Sequence, residues 1–477
     1  MSNTVPAEVA YLRTLPSIRE RCSKIFAAAE DGKLTYFTYD PTKEAEVAEY
    51  CGKIITRDFG DNFASIPPHG RWRHFDVGDI PRVTTILSRW AGVKTGSSDS
   101  AVPSTSAAGQ PVDPTEAARR LVDLFIVSVL LDAGAGTKWK YEEAKTGLSY
   151  GRSEGLAVAS LDMFLQGRFF QPLSSYESED GTIGSRERVN AAGLKNLSPE
   201  QLAMDMQVHP DANPMTGLEG RTNLLIKLGE AVESDSNGYF VGPAAAGIPA
   251  SQRRPGNLVD YLATHPTTKV AADGVTEVSV PALWEVLIYG LAPIWPASRT
   301  NLMGVAMGDV WPNQILADLN QVELGHEKSM VPFHKLSQWM CYSLLEAMEK
   351  TLQWRFVDGE HQTGLPEYRN GGLYVDLGVL TPTRALLDAS DPPADNAGIP
   401  NIPAEHPAIV EWRAMTVMLL DRTASQIRTA MNLQPHQLNL KQVLESATWK
   451  GGREIAKQLR PETGGPPINV ISDGTVF

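Results

Sequence analysis

Hydrophobic residues recur at helical spacing along most of the chain. The clearest helix start is Asp113–Glu116, where an acidic cap, a proline in the first turn and a glutamate three residues later occur together. Apolar positions continue from there to about Leu131, and Gly134 predicts the end of the helix. This stretch therefore predicts an amphipathic to fully buried helix.

Three further helices are expected. Ser153 can cap a largely apolar run that ends near Gly167, Pro332 opens an amphipathic run, and a long, mostly buried helix is expected from Pro407 to about Arg428. Strand signals are sparse, with the stronger one at 33–39 and a weaker one at 371–380. The pattern predicts a mainly α protein, a large helical body with a minor β element.

One stretch lacks the residues needed for a core. The segment from Gly92 to Pro114 is rich in Ser, Gly, Ala and Pro, which can bury little surface. We therefore predict an N-terminal helical block with a short β element (1–91), a flexible insertion (92–114) and a main helical domain that carries the site (115–477).

Charge and cysteine content narrow the function classes. The chain has 477 residues, with 43 Lys and Arg against 56 Asp and Glu, a formal net charge of −13. An acidic protein repels nucleic acid and anionic lipid, so neither is an expected partner. Cys22, Cys51 and Cys341 are too few and too scattered for a zinc site or a disulfide framework. No metal and no cofactor are expected.

No targeting or membrane segment is visible. The most apolar stretch, Leu124–Leu131, is far shorter than the roughly 20 residues of a membrane span. No GxxxxGK[ST] or HExxH sequence occurs, and P-loop, zinc-hydrolase and α/β-hydrolase functions are not expected. We predict a cytoplasmic protein of undetermined oligomeric state.

Two polar clusters lie in the first third of the chain. If 69–75 is extended, Arg71 and Arg73 face the same way beside Trp72 and can bind an anion together. The alternative is an arginine–carboxylate network around a buried tryptophan. Arg152 and Glu154 stand at a predicted helix start, where free N–H groups favour anions, although Glu154 also suits a first-turn acid.

Two more polar clusters lie near the helix expected from Pro332. One precedes this helix, and the other lies at its start. Asp309 and Trp311 lie in a GDVW sequence, where Asp309 is either a site residue or the cap of a helix starting at Pro312. His334, Lys335 and Gln338 fall within about one helical turn, forming either a polar site or an ordinary solvated helix face.

The fifth cluster, Leu365–Leu380, carries Glu367, Arg369, Asn370 and Asp376 around two glycines. Asp376 lies in an apolar run, so its carboxylate must be paired or serve a site. The simplest structural alternative is an ion pair with Arg369.

Taken together, the chain resembles the uracil catabolism protein 4 family. The matching stretches are HGRWRHF, DAGAG, GRSEGLAVASLDMF, HP…GLEGR, GDVW, VPFHKLSQWM, GLPEYRNGGLYVDLGVL, VEWRAMTVMLLD and GGPPINVISDGTVF, which cover most of 11–477. The resemblance implies a role in a pyrimidine-degradation route in which uracil is ribosylated, the ring is opened, and urea is released from ribose. It also implies functional partners in that route: a uracil phosphoribosyltransferase-like enzyme and a urea-degrading enzyme.

A fainter likeness, without matching motifs, is to helical queuosine-salvage nucleoside hydrolases. By this analogy alone we expect a DNA-glycosylase-like helical architecture and N-glycosidase chemistry. The hypothesis is a hydrolase that cleaves the C–N glycosidic bond of a ribosyl-urea small molecule or its phosphate. The alternatives are a non-catalytic ligand-binding or regulatory protein and, less favoured, an amidohydrolase.

This chemistry needs a carboxylate near an oxocarbenium-like centre, a proton donor, and cations for any phosphate. We assign Asp376 as the carboxylate and His334 as a reserve acid. Glu367 or Glu154 is expected either to be the acid or to bind the ribose hydroxyls. The expected substrate-binding residues are Arg71, Trp72, Arg73, Arg152, Asp309, Trp311, Lys335, Gln338, Arg369 and Asn370.

Overall fold

The structure, a computed structural model, describes residues 5–93, 110–132, 134–136, 138–173, 185–242, 248–295, 299–391 and 398–471. The chain forms two compact units, each assembled from separate stretches. Unit 1 comprises Met1–His69, Pro296–Trp339 and Glu360–Phe477, and unit 2 comprises Gly70–Trp295 and Met340–Gly359.

Helices make up most of the described chain, which confirms the mainly α prediction. The α-helices are α1 (Ala7–Tyr11), α2 (Leu15–Glu30), α3 (Glu44–Phe59), α4 (Arg71–Phe75), α5 (Arg82–Trp90), α6 (Pro114–Leu131), α7 (Arg152–Leu165), α8 (Ala191–Lys195), α9 (Pro199–Asp205), α10 (Leu218–Glu233), α11 (Leu258–Ala263), α12 (Val280–Glu285), α13 (Gln314–Asn320), α14 (Lys335–Leu352), α15 (Tyr368–Asp376), α16 (Arg384–Asp388), α17 (Pro407–Ala430), α18 (Leu440–Val443) and α19 (Trp449–Leu459).

The strands are short and pair in small sheets. They are β1 (Phe37–Tyr39), β2 (Lys140–Glu143), β3 (Leu148–Gly151), β4 (Lys269–Val270), β5 (Thr276–Ser279), β6 (Thr300–Leu302), β7 (Val305–Gly308), β8 (Val310–Pro312), β9 (Met330–Pro332), β10 (Arg355–Val357), β11 (Leu380–Pro382), β12 (Asn401–Pro403) and β13 (Asn469–Ile471). Unit 2 holds the three-stranded sheet β10-β5-β4 and the hairpin β2-β3, and unit 1 holds the pairs β1-β11, β6-β7, β8-β9 and β12-β13. Within the described residues, β structure therefore braces the helices and forms no layer of its own.

In unit 1 the centre is α17, whose residues are buried on nearly every side as it packs against α2, α3 and α15. α19 lies directly on α15, and a Cβ added to Gly452 would overlap the carbonyl oxygen of Arg369. In unit 2 the same central role falls to α6, which packs against α7, α10 and α11.

Several predicted elements are confirmed. Asp113 caps α6 by accepting hydrogen bonds from the N–H groups of Thr115 and Glu116, and the helix ends at Leu131 as expected. The helix predicted with Ser153 as its cap exists as α7, but the cap assignment is wrong, because α7 begins at Arg152 with Gly151 at the cap position. The long helix from Pro407 is α17, which ends two residues beyond Arg428. The strand predicted over 33–39 exists only as β1.

Two element predictions are wrong. Pro332 belongs to strand β9, and α14 begins three residues later at Lys335. The strand expected over 371–380 is mostly helix α15, because the Glu367 side chain accepts hydrogen bonds from two N–H groups of its first turn. Only Leu380 from that stretch enters a strand.

The predicted domain borders near 91 and 114 coincide with no boundary between the two compact units, and residues 94–109 of the predicted insertion lie outside the described residues. All three cysteines are buried free thiols. Among the described helices, none has the length and apolar character needed to cross a bilayer.

Candidate functional site

The predicted site residues fall into two groups, one in each compact unit. Arg71, Trp72, Arg73, Arg152 and Glu154 belong to unit 2. The remaining ones belong to unit 1: Asp309, Trp311, His334, Lys335, Gln338, Glu367, Arg369, Asn370 and Asp376. Each group has its own network of contacts.

The segment carrying Arg71 and Arg73 is not extended, and this prediction is wrong. It forms the short helix α4, in which residues two positions apart point in different directions. Arg71 pairs with Asp132 at 2.6 Å, whereas Arg73 pairs with Glu346 at 2.7 Å. The alternative weighed from the sequence, an arginine–carboxylate network around Trp72, is what the structure shows.

Arg71 is the centre of a buried polar cluster in unit 2. Its side chain is fully buried and donates to Ser128 Oγ at 2.8 Å, to Asp132 at 2.6 Å and to the carbonyl of Ser153 at 3.2 Å. Burial lowers the pKa of Arg71, while Asp132 and Glu154 act to raise it. The arrangement ties the end of α6 to the start of α7.

Arg221 completes this group, which we call the Arg71 cluster (Arg71, Asp132, Glu154 and Arg221). Its guanidinium donates to the carbonyls of Leu131, at 3.0 Å, and Thr216. Burial lowers the pKa of Arg221 to about 10, against the opposing charge of Asp132. Sequence reasoning did not select Asp132 or Arg221, although both lie in stretches that match the family, DAGAG and GLEGR.

The start of α7 is a tight turn. Strand β3 ends at Gly151 and α7 begins at Arg152, which has a φ of 53°. A Cβ on Gly155 would lie 2.5 Å from the carbonyl oxygen of Tyr150, so only glycine fits there.

Gly151–Gly155 in fact fits the G-x-S-x-G pattern of a strand–turn–helix nucleophile turn, a signal that sequence reasoning missed. The adjoining strand belongs to a two-stranded hairpin, not to the parallel sheet of an α/β-hydrolase.

A second buried cluster, the Asp309 cluster, lies in unit 1. Arg413 binds both carboxylate oxygens of Asp309 at 2.7 Å, and the carboxylate also accepts from Trp311 Nε1 at 2.6 Å and from the backbone N–H of Lys335 at 2.9 Å. Asp309 is therefore not the cap of a following helix, and Asn313 caps α13 instead.

The charge of Asp309 is strongly stabilised. Burial alone would raise the pKa of its carboxyl, but the charge and hydrogen bonds of Arg413 hold it well below its usual range. Arg413 also lies 4.1 Å from the ring centroid of Phe333 and donates to the carbonyl of Pro366 at 3.3 Å. The cluster thus joins four sequence motifs, and Arg413 is a member that sequence reasoning did not assign.

His334 and Gln338 have structural contacts in this region. His334 has a φ of 46° and donates from Nε2 to the carbonyl of Leu12 at 2.8 Å, and burial lowers its pKa. Gln338 donates to Thr363 Oγ1 at 2.9 Å and accepts from the Thr363 N–H at 2.8 Å.

Asp376, Glu367 and Arg369 do not converge through their side chains. Both oxygens of Asp376 are bound by Arg460, and the ion pair expected with Arg369 is not formed. Glu367 caps α15, and Arg369 donates to the carbonyl of Gly464 at 2.7 Å. Glu367 and Asp376 stand at opposite ends of α15, with their backbones about 13 Å apart along the helix axis.

The remaining residue of the fifth cluster, Asn370, is fully buried and donates to the carbonyl of Leu365 at 3.0 Å.

Among the described residues, no group of three or more His, Cys, Asp or Glu side chains could hold a metal ion.

Known proteins are similar to this chain over nearly its full length. "Uracil catabolism protein 4" of Lachancea kluyveri is 38% identical over 483 residues, which cover 99% of this chain and 100% of that protein. "Protein urg3" of Schizosaccharomyces pombe is 38% identical over 470 residues, covering 98% and 99% respectively. The family described as "Protein of unknown function (DUF1688)" matches residues 11–477, and the chain belongs to that family.

Proposed function

We propose that this protein acts in uracil catabolism as a hydrolase that cleaves the C–N glycosidic bond of a ribosyl-urea compound or its phosphate. The pathway is suggested by the name of the Lachancea kluyveri relative, which matches the full chain at 38% identity. The reaction class rests on one observation: the Arg71 cluster joins two carboxylates and a fully buried arginine at the start of α7.

The proposed step is a simple hydrolysis. The bond between ribose C1 and a urea nitrogen breaks, and the oxygen of water bonds to C1. A general acid gives its proton to the leaving nitrogen, and the proton that the water loses restores that acid. The transition state resembles an oxocarbenium ion, so a carboxylate close to C1 lowers the barrier. Urea is a poor anionic leaving group, and a general acid must protonate it.

Asp132 is the proposed carboxylate. Its side chain is only 7% exposed, and Arg71 binds both it and the Ser153 carbonyl. The carboxylate and the first turn of α7 are therefore held in fixed relation. In a site from which water is largely excluded, its charge acts strongly on a developing cation.

Glu154 is the proposed proton donor. From the sequence, both Glu367 and Glu154 were candidates for this role. It lies in the first turn of α7, is half-buried, and interacts electrostatically with Arg71. Asp132 replaces Asp376 in the proposal because Arg460 already binds both oxygens of Asp376. We also propose that the protein is cytoplasmic. Partner enzymes would form its substrate and consume its products.

The experiment incubates the purified full-length chain with ribosylurea and with its 5′-phosphate, and measures urea and sugar. Release of urea with intact ribose or ribose phosphate is the expected result. Carbon dioxide and ammonia without free urea would instead indicate an amidohydrolase. Tight binding without turnover would indicate a ligand-binding or regulatory protein, and either result overturns the proposal.

A further inference from the structure

The C-terminal end of α6 is held by a side chain from another helix. The last carbonyl groups of an α-helix have no partner within the helix, so other groups must bind them. Asp132 is the C-cap residue of α6, and the carbonyl of Leu131, just before it, accepts a hydrogen bond from Arg221 at 3.0 Å. The Asp132 side chain therefore projects from backbone that Arg221 fixes.

Arg221 also fixes the chain that precedes its own helix. It lies near the start of α10, is 1% exposed, and donates to the carbonyl of Thr216. The Thr216 N–H donates in turn to the carbonyl of Ala135 at 3.3 Å. The segment after α6 and the segment before α10 are thus joined, and the Arg221 side chain bridges them.

The charge of Arg221 acts on Asp132 as well. Burial lowers the pKa of Arg221 to about 10, and the negative charge of Asp132 opposes this shift. With a pKa of about 10, Arg221 is charged at neutral pH. Because the attraction is mutual, the Asp132 carboxylate is stabilised both by Arg221 and by Arg71, which binds it directly at 2.6 Å.

We infer that Arg221 is a positioning residue for the Asp132 carboxylate. This inference rests on the proposed function, in which Asp132 stabilises the positive charge that develops at ribose C1. Arg71 binds the carboxylate itself, whereas Arg221 holds the backbone that carries it. A displacement of about 1 Å in a catalytic group can lower the rate roughly a hundredfold, so both restraints matter.

The test measures kcat and KM for urea release by the full-length chain, from ribosylurea and from its 5′-phosphate. Arg221→Gln should lower kcat per folded molecule about 10- to 100-fold and change KM by less than about threefold, because it displaces the carboxylate and keeps the binding surface. Arg221→Lys keeps the charge and a donor group, and it should retain more of the wild-type kcat than Arg221→Gln does.

Arg119→Gln is the matched control. Arg119 lies near the start of the same helix, α6, and binds both carboxylate oxygens of Asp260, at 2.8 and 2.5 Å. This variant also loses a largely buried ion pair, so its stability should fall. Its kcat per folded molecule should stay near wild type, because the other end of the helix is unchanged.

A double-mutant cycle tests whether Arg221 acts through Asp132. In an Asp132→Asn background, Arg221→Gln should cause little further loss of turnover, because the carboxylate that it positions is already absent. The same cycle is measured on the free energy of urea unfolding, where these two substitutions should also be non-additive. Arg119→Gln and Asp132→Asn should be additive in unfolding. If Arg221→Gln does not fold, Arg221→Lys replaces it, with a smaller loss of kcat and the same non-additivity expected.

The outcomes separate the inference from the proposed reaction. If the wild-type chain releases urea but the loss caused by Arg221→Gln is absent, or is undiminished in the Asp132→Asn background, the inference fails and the reaction stands. An equal loss of kcat in Arg119→Gln would also overturn the inference, since it would indicate a general loss of packing along α6. If the wild-type chain releases no urea, the reaction fails. The unfolding cycle then decides, because non-additivity supports the attachment of Asp132 to Arg221 and additivity overturns it.

Discussion

At the scale of single residues, buried charges are held by specific partners. Asp132 and Asp376 are both aspartates paired with arginine, at Arg71 and Arg460 respectively. They differ in their surroundings, because Arg71 also binds the start of α7 and Arg460 also binds the carbonyl of Gly465. The first arrangement is suited to a substrate site. The second connects α15 to the chain that follows α19.

Asp132→Asn and Asp376→Asn form a matched pair. We expect Asp132→Asn to lower urea release by roughly a hundredfold or more, since it removes the charge that stabilises the transition state. Asp376→Asn should lower the free energy of unfolding by about 1–3 kcal/mol and leave turnover per folded molecule near wild type. Turnover and denaturant unfolding are measured for both. The reverse pattern would restore Asp376 as the catalytic carboxylate.

The Asp309–Arg413 pair is expected to dominate local stability in unit 1. Both side chains are nearly inaccessible, at 2% and 3% exposure. Arg413→Met should reduce the free energy of unfolding by about 3–5 kcal/mol, because it leaves the Asp309 charge buried without its partner.

Urea unfolding of that variant is compared with Arg384→Met, which breaks an exposed pair with Asp388 and should change stability by less than about 1 kcal/mol. Similar values for the two variants would show that the buried pair has no special role.

At the scale of elements, close helix contacts depend on glycine. Gly452 lets α19 approach the backbone of α15 at Arg369, and Gly371 lets α15 approach the ring of Trp412 on α17. These contacts explain why the segment predicted as a strand is stable as a helix. Its two glycines are unfavourable in an isolated helix but leave space for a neighbour.

Gly452→Ala tests this packing. The added methyl group would overlap the Arg369 carbonyl oxygen, and overpacking of this kind costs about 1–3 kcal/mol or more. Gly52→Ala on α3 is the control, because its Cβ would meet only the flexible end of Met431 at 3.5 Å. That control should be neutral or stabilising by up to about 1 kcal/mol. Thermal unfolding of both variants decides, and equal effects would contradict the packing argument.

At the scale of the whole molecule, stability depends on how buried carboxylates titrate. Glu116, at the start of α6, is bound by Arg254 and Arg120. Burial acts to raise the pKa of Glu116, but these two charges lower it from 4.5 to about 2. The folded state therefore binds this proton less readily than the unfolded state does.

The expected consequence is a loss of stability in acid. The contribution of Glu116 is complete above about pH 4.5 and is lost as the pH falls towards 2, an effect of about 3 kcal/mol. Glu116→Gln should remove this part of the pH dependence, whereas Glu142→Gln, at an exposed carboxylate of the same unit, should keep it. Urea midpoints at pH 5.5 and pH 3 measure the difference. An unchanged slope in Glu116→Gln would contradict the assignment.

The sequence alone determined the secondary structure where local signals were strong. Asp113 and Pro114 mark the start of α6, and the apolar run that follows can only be a buried helix. The same local signals located α7 and α17, and the shared motifs were sufficient by themselves to indicate the family. These features depend on neighbours within a few residues.

The tertiary structure decided what distant side chains do. Arg71 meets Asp132 across 61 positions, Asp309 meets Arg413 across 104, and Asp376 meets Arg460 across 84. No local pattern reports such pairings, because many carboxylates are available to each arginine and only packing selects one. Asp132, Arg221 and Arg413 were therefore missed, and the role given to Asp376 rested on its apolar neighbours without knowledge of its partner.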